Sequence, residues 1–205
     1  SFLFGHWAGA ATWNISAGTI TSTSAWLSFG WDSTNVNFNQ SGGTVSLLGL
    51  NLGNTRNNAA TYNLTGGRLN LGSTGIVANT AKTVNLGSGT VGALANWTTS
   101  QNLPLTSASP GVTFDPSGFA ITLSGTLSGT GSLVVDGLGT LALSGSNTYT
   151  GATTVNSGTL QIGAGGAAGA INTTSALTVN AAGTLLFNRT DASGGAFTLP
   201  MTGAG

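Results

Sequence analysis

One phrase organises this sequence: a glycine, then a small or polar residue, then an apolar one. It occurs at Gly18-Thr19-Ile20, Gly43-Thr44-Val45, Gly67-Arg68-Leu69, Gly89-Thr90-Val91, Gly118-Phe119-Ala120-Ile121, Gly139-Thr140-Leu141, Gly158-Thr159-Leu160 and Gly183-Thr184-Leu185. The copies recur with an uneven period, longest between Gly89 and Gly118 and shortest between Gly139 and Gly158. A period near two dozen belongs to stacked architectures, in which each repeat buries its apolar side against the next. Helical arrays of such periods need long Ala/Leu/Glu/Lys-rich stretches. These segments are instead rich in Thr, Val, Ile and Gly and alternate apolar with polar every second residue, which is strand chemistry. The expectation is an all-β chain forming a single-stranded parallel β-helix (β-solenoid), right-handed, with about eight or nine coils of roughly 19–29 residues.

The densest copy runs from Gly139 to Gly163 and reads as three short strands separated by turns, with Leu141, Leu143, Val155, Leu160 and Ile162 on the apolar side. Upstream, Phe38 to Val45 and Tyr62 to Leu69 are parallel phrases one period apart. Their alignment predicts Phe38 over Tyr62 and Val45 over Leu69, one rung or about 4.8 Å apart. It also predicts that Asn37 or Asn39 forms a side-chain amide ladder with Asn63.

Composition narrows the function. The 205 residues are 40% hydrophobic, enough for a core, with no sign of a second domain, so residues 1–205 are expected to form one solenoid. Charge is scarce: Arg56, Arg68, Lys82 and Arg189 face Asp32, Asp115, Asp136 and Asp191, and Glu is absent. A surface this neutral cannot attract a polyanion, so no nucleic-acid partner is expected. Cysteine is also absent, which rules out disulfides, thiolate metal sites and a cysteine nucleophile. No metal or cofactor is expected. No apolar run is long enough for a spanning helix, and no leader pattern precedes the solenoid, so the chain is not expected to cross a membrane.

Two segments depart from the rhythm. Residues 1–40 hold Trp7, Trp13, Trp26 and Trp31 together with Phe2, Phe4, Phe29 and Phe38. The first coil of a solenoid has an open edge to cover, so these rings are expected to cap or fill the first coils. The alternative is an exposed platform for sugar rings or for a neighbouring subunit. His6, a lone imidazole, is not expected to bind a metal. Residues 93–117 hold Trp97, Pro104, Pro110 and Pro116 and fall in the longest interval between markers. Proline lacks the N–H of a paired strand, so this segment is expected to leave the stack as a loop or elaborated corner, with Trp97 a candidate contact residue.

Parallel β-helices also carry polysaccharide lyases and hydrolases, which need clustered acids or a base paired with them. Asp115 and Asp136, one coil length apart, are the one pair able to stack on adjacent coils. They are expected to be turn residues, and no catalytic residue is assigned. Gly163-Ala164-Gly165-Gly166 lacks the lysine and helix of a phosphate loop, and the Asn-X-Ser/Thr matches are those a chain rich in these residues produces by chance.

Residues 118–163 carry a resemblance. Thr126-Leu127-Ser128-Gly129-Thr130-Gly131-Ser132-Leu133, Gly139-Thr140-Leu141-Ala142-Leu143-Ser144-Gly145-Ser146-Asn147-Thr148-Tyr149-Thr150-Gly151 and Thr153-Thr154-Val155-Asn156-Ser157-Gly158-Thr159-Leu160 resemble the autotransporter-associated β-strand repeat of large bacterial surface proteins. The lysine common in that repeat near Val135 or Asp136 is missing. The resemblance makes residues 118–205 the best-matching coils and implies a passenger-type β-helix, extracellular or on the bacterial cell surface, without catalytic residues.

Phe197 to Gly205 aligns with Leu123 to Gly131 and places Met201 on Leu127, so the sequence is expected to stop just before a core strand that further polypeptide or another molecule supplies. Unprotected solenoid ends and low charge suggest head-to-tail self-association into a homo-oligomer or fibre. The expected function is therefore a non-enzymatic surface scaffold or filament subunit. The alternative is an adhesin for a glycan or other cell-surface ligand.

Overall fold

The computed structural model describes residues 2–4, 10–29, 35–52, 59–78, 82–171, 174–191 and 199–205. In chain order the strands are β1 (Phe2–Phe4), β2 (Ala11–Ile15), β3 (Thr19–Phe29), β4 (Asn35–Leu52), β5 (Ala59–Ala78), β6 (Lys82–Leu86), β7 (Gly89–Ala93), β8 (Trp97–Thr99) and β9 (Leu103–Leu105). They continue with β10 (Val112–Asp115), β11 (Ala120–Leu123), β12 (Leu127–Gly129), β13 (Leu133–Val135), β14 (Thr140–Leu143), β15 (Thr153–Gly166), β16 (Leu177–Arg189) and β17 (Met201–Gly203). All are linked in one sheet that closes on itself as a parallel β-solenoid of about seven turns, close to the eight or nine expected.

Each turn presents three faces. Face A stacks β2 on residues 35–40, 59–64, β6, β9 and β12. Face B stacks residues 19–22, 44–47, 68–71, β7, β10, β13, 153–155, 177–179 and β17. Face C stacks β1 on residues 26–29, 49–52 and 75–78, then β8, β11, β14, 159–162 and 184–187. Between 75–78 and β8 the contact is held by Thr99 Oγ1, which donates to the Ile76 carbonyl at 2.7 Å.

Alternation by two decides which residues enter the core. On face B one inward column passes from Val45 through Leu69, Val91, Phe114 and Val135 to Val155. Every member of it is 0% exposed. Val45 lies over Leu69 as expected, and Phe38 stacks on Tyr62 with ring centroids 5.0 Å apart and planes 10° from parallel. The buried Tyr62 hydroxyl donates to Gln40 Oε1, and Gln40 Nε2 donates to the Arg68 carbonyl at 3.0 Å, so this polar group crosses the core fully bonded.

Residues 93–117 do not leave the stack, and this corrects the loop excursion. They form the end of β7 and all of β8, β9 and β10. Thr113 pairs with Thr90 and Ile121 with Trp97, one ordinary coil length later in each case. The long interval between Gly89 and Gly118 has another cause. The first four glycine markers open face B, whereas Gly118, Gly139, Gly158 and Gly183 open face C. Between Gly89 and Gly118 the phrase has moved one corner along the coil. Pro104 fits inside β9 because the pairing of β9 with β6 is confined to Leu86 and Leu105, so the missing N–H removes a bond from a side that makes few. The corner after it is tied by the Pro110 carbonyl, which accepts from the hydroxyls of Ser88 and Ser107 at 2.8 Å each.

The stretch 139–163 also differs in detail. It contains β14 and most of β15, and β15 itself runs through faces B and C without a break. No helix among the described residues is long and apolar enough to cross a membrane.

Candidate functional site

The residues singled out in the sequence fall in three places. Trp97 lies in β8, points inward beneath Ile121 and is only 2% exposed, so it is a core residue and not a surface platform. Trp13 lies in β2 in register with Phe38 and is 43% exposed at the first rung of face A. Trp7, Trp31 and His6 lie outside the described residues, as does the side chain of Trp26 in β3. Met201 opens β17 and is 57% exposed. It pairs with Leu177, in the face B column that contains Leu133 and Thr153, so its counterpart is Leu133 and not Leu127. The strand expected to be missing after Gly205 is therefore β17 itself.

At that end, Val179, Leu185, Phe187, Met201 and Gly205 line an open groove of about 400 Å³. Phe187, in the inward column of Leu143 and Ile162, is 45% exposed, and the outward Leu186 beside it is 44% exposed, so the last described rung of face C presents an apolar surface.

The two aspartates able to stack, Asp115 and Asp136, lie on adjacent rungs. Phe114 pairs with Val135, and the Asp136 N–H donates to the Phe114 carbonyl, which brings Asp115 and Asp136 to adjacent rungs at the corner after face B. Each is already engaged. Arg68 reaches across two rungs, with Nη2 2.6 Å from Asp115 Oδ2 and Nε 2.7 Å from Asn70 Oδ1. Gly92 lies between them, and a Cβ there would stand 2.7 Å from Arg68 Nη2 and 2.3 Å from Asn70 Oδ1, so the missing side chain is what lets the guanidinium pass. Ser117, at φ 53°, turns its N–H onto Asp115 Oδ1, and Asp136 Oδ1 accepts from Ser157 Oγ at 2.9 Å.

Partial burial acts to raise the Asp115 carboxyl, but the Arg68 guanidinium and the Ser117 N–H and hydroxyl outweigh it and hold the group below the usual carboxylate range. Its folded value is thus below the unfolded one. The stabilisation is full at neutral pH and is lost as pH falls through the folded value. Because Arg68 and Asp115 remain 36% and 22% exposed, Asp115→Asn is expected to cost at most about 1 kcal/mol. Urea midpoints at low and high salt check this: the difference between variant and parent should shrink at high salt.

A second polar array runs outside face A. Asn39 Nδ2 donates to Asn14 Oδ1 at 2.9 Å, Asn63 to Asn39 at 2.8 Å and Asn85 to Asn63 at 2.8 Å. Asn39, not Asn37, is the ladder residue, and the ladder extends one rung beyond the predicted pair on either side. It stops after Asn85, where the β6 and β9 register brings Pro104 to the next rung.

Sequence reasoning missed the polar groups that hold the later corners. Asn147, 5% exposed, accepts from the Leu127 N–H and donates to the carbonyls of Gly145 and Ala170, joining three successive coils. The buried Tyr149 hydroxyl meets Thr153 Oγ1 at 2.7 Å, and Thr153 meets Thr174 at 3.0 Å. Burial raises the Tyr149 hydroxyl far above its usual range despite the Thr153 bond, so it stays protonated. Gly145 and Gly151 stack on Gly125 and Gly131, where a Cβ would stand 2.1 and 2.2 Å from a carbonyl oxygen of the coil before. The signal was available in the phrase Gly145-Ser146-Asn147-Thr148-Tyr149-Thr150-Gly151, whose two glycines each recur one coil after Gly125 and Gly131.

Residues 133–162 match the passenger-associated-transport-repeat family. The passenger-associated repeat thus covers β13, β14, the Asn147 corner and β15 as far as Ile162. It contains its own stacking partners, since Val135 pairs with Val155, Leu141 with Leu160 and Leu143 with Ile162. Within the matched stretch, Gly145, Asn147, Tyr149 and Gly151 are all committed to joining coils or holding their corners. No curated protein and no solved structure matches the chain. Repeat and solenoid together fit a passenger-type surface protein of the autotransporter kind.

Proposed function

We propose that this chain is a non-enzymatic scaffold segment of a surface-displayed passenger, and that its solenoid ends associate head to tail. The observation that carries the scaffold reading is the stretch matching the passenger-associated repeat, in which the buried Asn147 and Tyr149 bond within the stack. Asp115 and Asp136, the pair best placed for acid chemistry, are bonded to Arg68, Ser117 and Ser157, which supports a structural role for both.

Association is supported by the apolar groove around Phe187 and Met201 at one end and by the half-exposed Trp13 near the other. A contact between unlike ends does not close on itself and therefore propagates. Electron microscopy of the protein as isolated tests this. Fibres whose axial repeat equals the height of one subunit are the expected result, and Met201→Lys should shorten or abolish them. Uniform single rods at high concentration would rule out assembly and leave the scaffold reading standing.

A further inference from the structure

The outward side of face A carries two columns in unbroken register over four rungs. One is Asn14, Asn39, Asn63 and Asn85, and the other is Thr12, Asn37, Thr61 and Thr83. All eight side chains are exposed or partly exposed, and none is charged. Rungs are about 4.8 Å apart, and alternate residues on one strand about 6.6 Å apart, so the columns form a two-dimensional grid of donors and acceptors.

The ladder fixes the asparagine column of the grid. Every amide donates in the same direction, Nδ2 to the Oδ1 of the preceding rung. Asn39 and Asn63, which both donate and accept, therefore each keep one N–H and one acceptor site free among the described residues, in the same orientation from rung to rung. A ligand that meets such a face loses little to ordering of the protein.

The chemistry of the grid selects its ligand. A polyanion needs cations, which neither column provides. A sugar chain is gripped through aromatic faces, and no aromatic residue occupies either outward column. What remains is an uncharged, periodic lattice of hydrogen-bonding groups. We propose that this face binds ice: its two spacings are close to those of the oxygen rows of hexagonal ice, and its fixed amides and outward hydroxyls can replace waters of that lattice.

The test uses the purified chain in two assays, incorporation into a slowly growing ice hemisphere and the gap between melting and freezing of a single crystal. The expected result is incorporation of the parent protein with a measurable gap. Asn37→Lys and Thr61→Lys should fall to the level of an excluded control protein, while Thr122→Lys on face C behaves as the parent does. Circular dichroism and melting curves confirm that each variant is folded, and the exposed Asn37 provides a substitution that does not disturb the core. Exclusion of the parent from ice overturns the proposal. So does equal incorporation of the folded Asn37→Lys variant, or retention of the parent on crystalline cellulose or chitin with no effect on ice.

Discussion

Trp97→Ala is expected to be among the most destabilising single substitutions in this chain, at about 3–5 kcal/mol. Trp97 is 2% exposed, and its ring fills the space between Ile121 on the next coil and Gly75 on the coil before. A Cβ on Gly75 would stand 2.8 Å from Trp97 Cε3, so the two positions form one fitted pair of small and large residues. No neighbour can refill the cavity without moving a rung. Trp97→Phe should cost far less, because Trp97 Nε1 is buried and has no hydrogen-bond partner among the described residues, so the smaller ring also removes an unsatisfied donor. Urea midpoints for the two variants give the comparison. Hydrogen exchange adds a location: in a solenoid each coil touches only its neighbours, so the loss of protection should centre on the coils carrying residues 75–78, β8 and β11. A cost below about 1 kcal/mol for Trp97→Ala would mean that the ring is at the surface in solution.

The fate of Trp97 illustrates what the sequence made legible. The period, the strand alternation and the stacking of Phe38 on Tyr62 follow from local rules, since a residue's column is fixed by parity and coil length. The faces do not follow from such rules. The glycine phrase marks a corner without saying which, and its move from the opening of face B to that of face C made an ordinary coil look like a loop. A loop over residues 93–117 would place its prolines and Trp97 at the surface, whereas Trp97 is buried. The same ambiguity displaced Met201 by one face. Motif chemistry was equally one-sided. Asp115 and Asp136 stood out because they are charged, while Asn147 and Tyr149, which hold the corners of the passenger-associated repeat, looked like turn residues in a chain full of them.

Lys82→Met is expected to stabilise the protein by about 1–3 kcal/mol at neutral pH. Lys82 opens β6 with its side chain turned inward, in the column of Val36 and Ala60. The residue is 9% exposed, and its Nζ is buried with no hydrogen-bond partner among the described residues. Methionine has a similar length and flexibility and carries no charge to desolvate. The pH dependence separates this cause from simple repacking. Burial lowers the Lys82 pKa below the usual lysine value, so between the folded and unfolded values the unfolded chain holds more protons than the folded one. Stability should therefore rise as pH increases through that interval in the parent, and the rise should be weaker in the variant. The advantage of methionine is largest below the folded pKa, where the parent carries the whole penalty, and it narrows as pH climbs toward the unfolded value. A destabilised Lys82→Met variant, or one whose pH slope matches the parent, would show that the ammonium is paired in solution and that the small Ala60 beneath it makes room for a bonded cation rather than a stranded one.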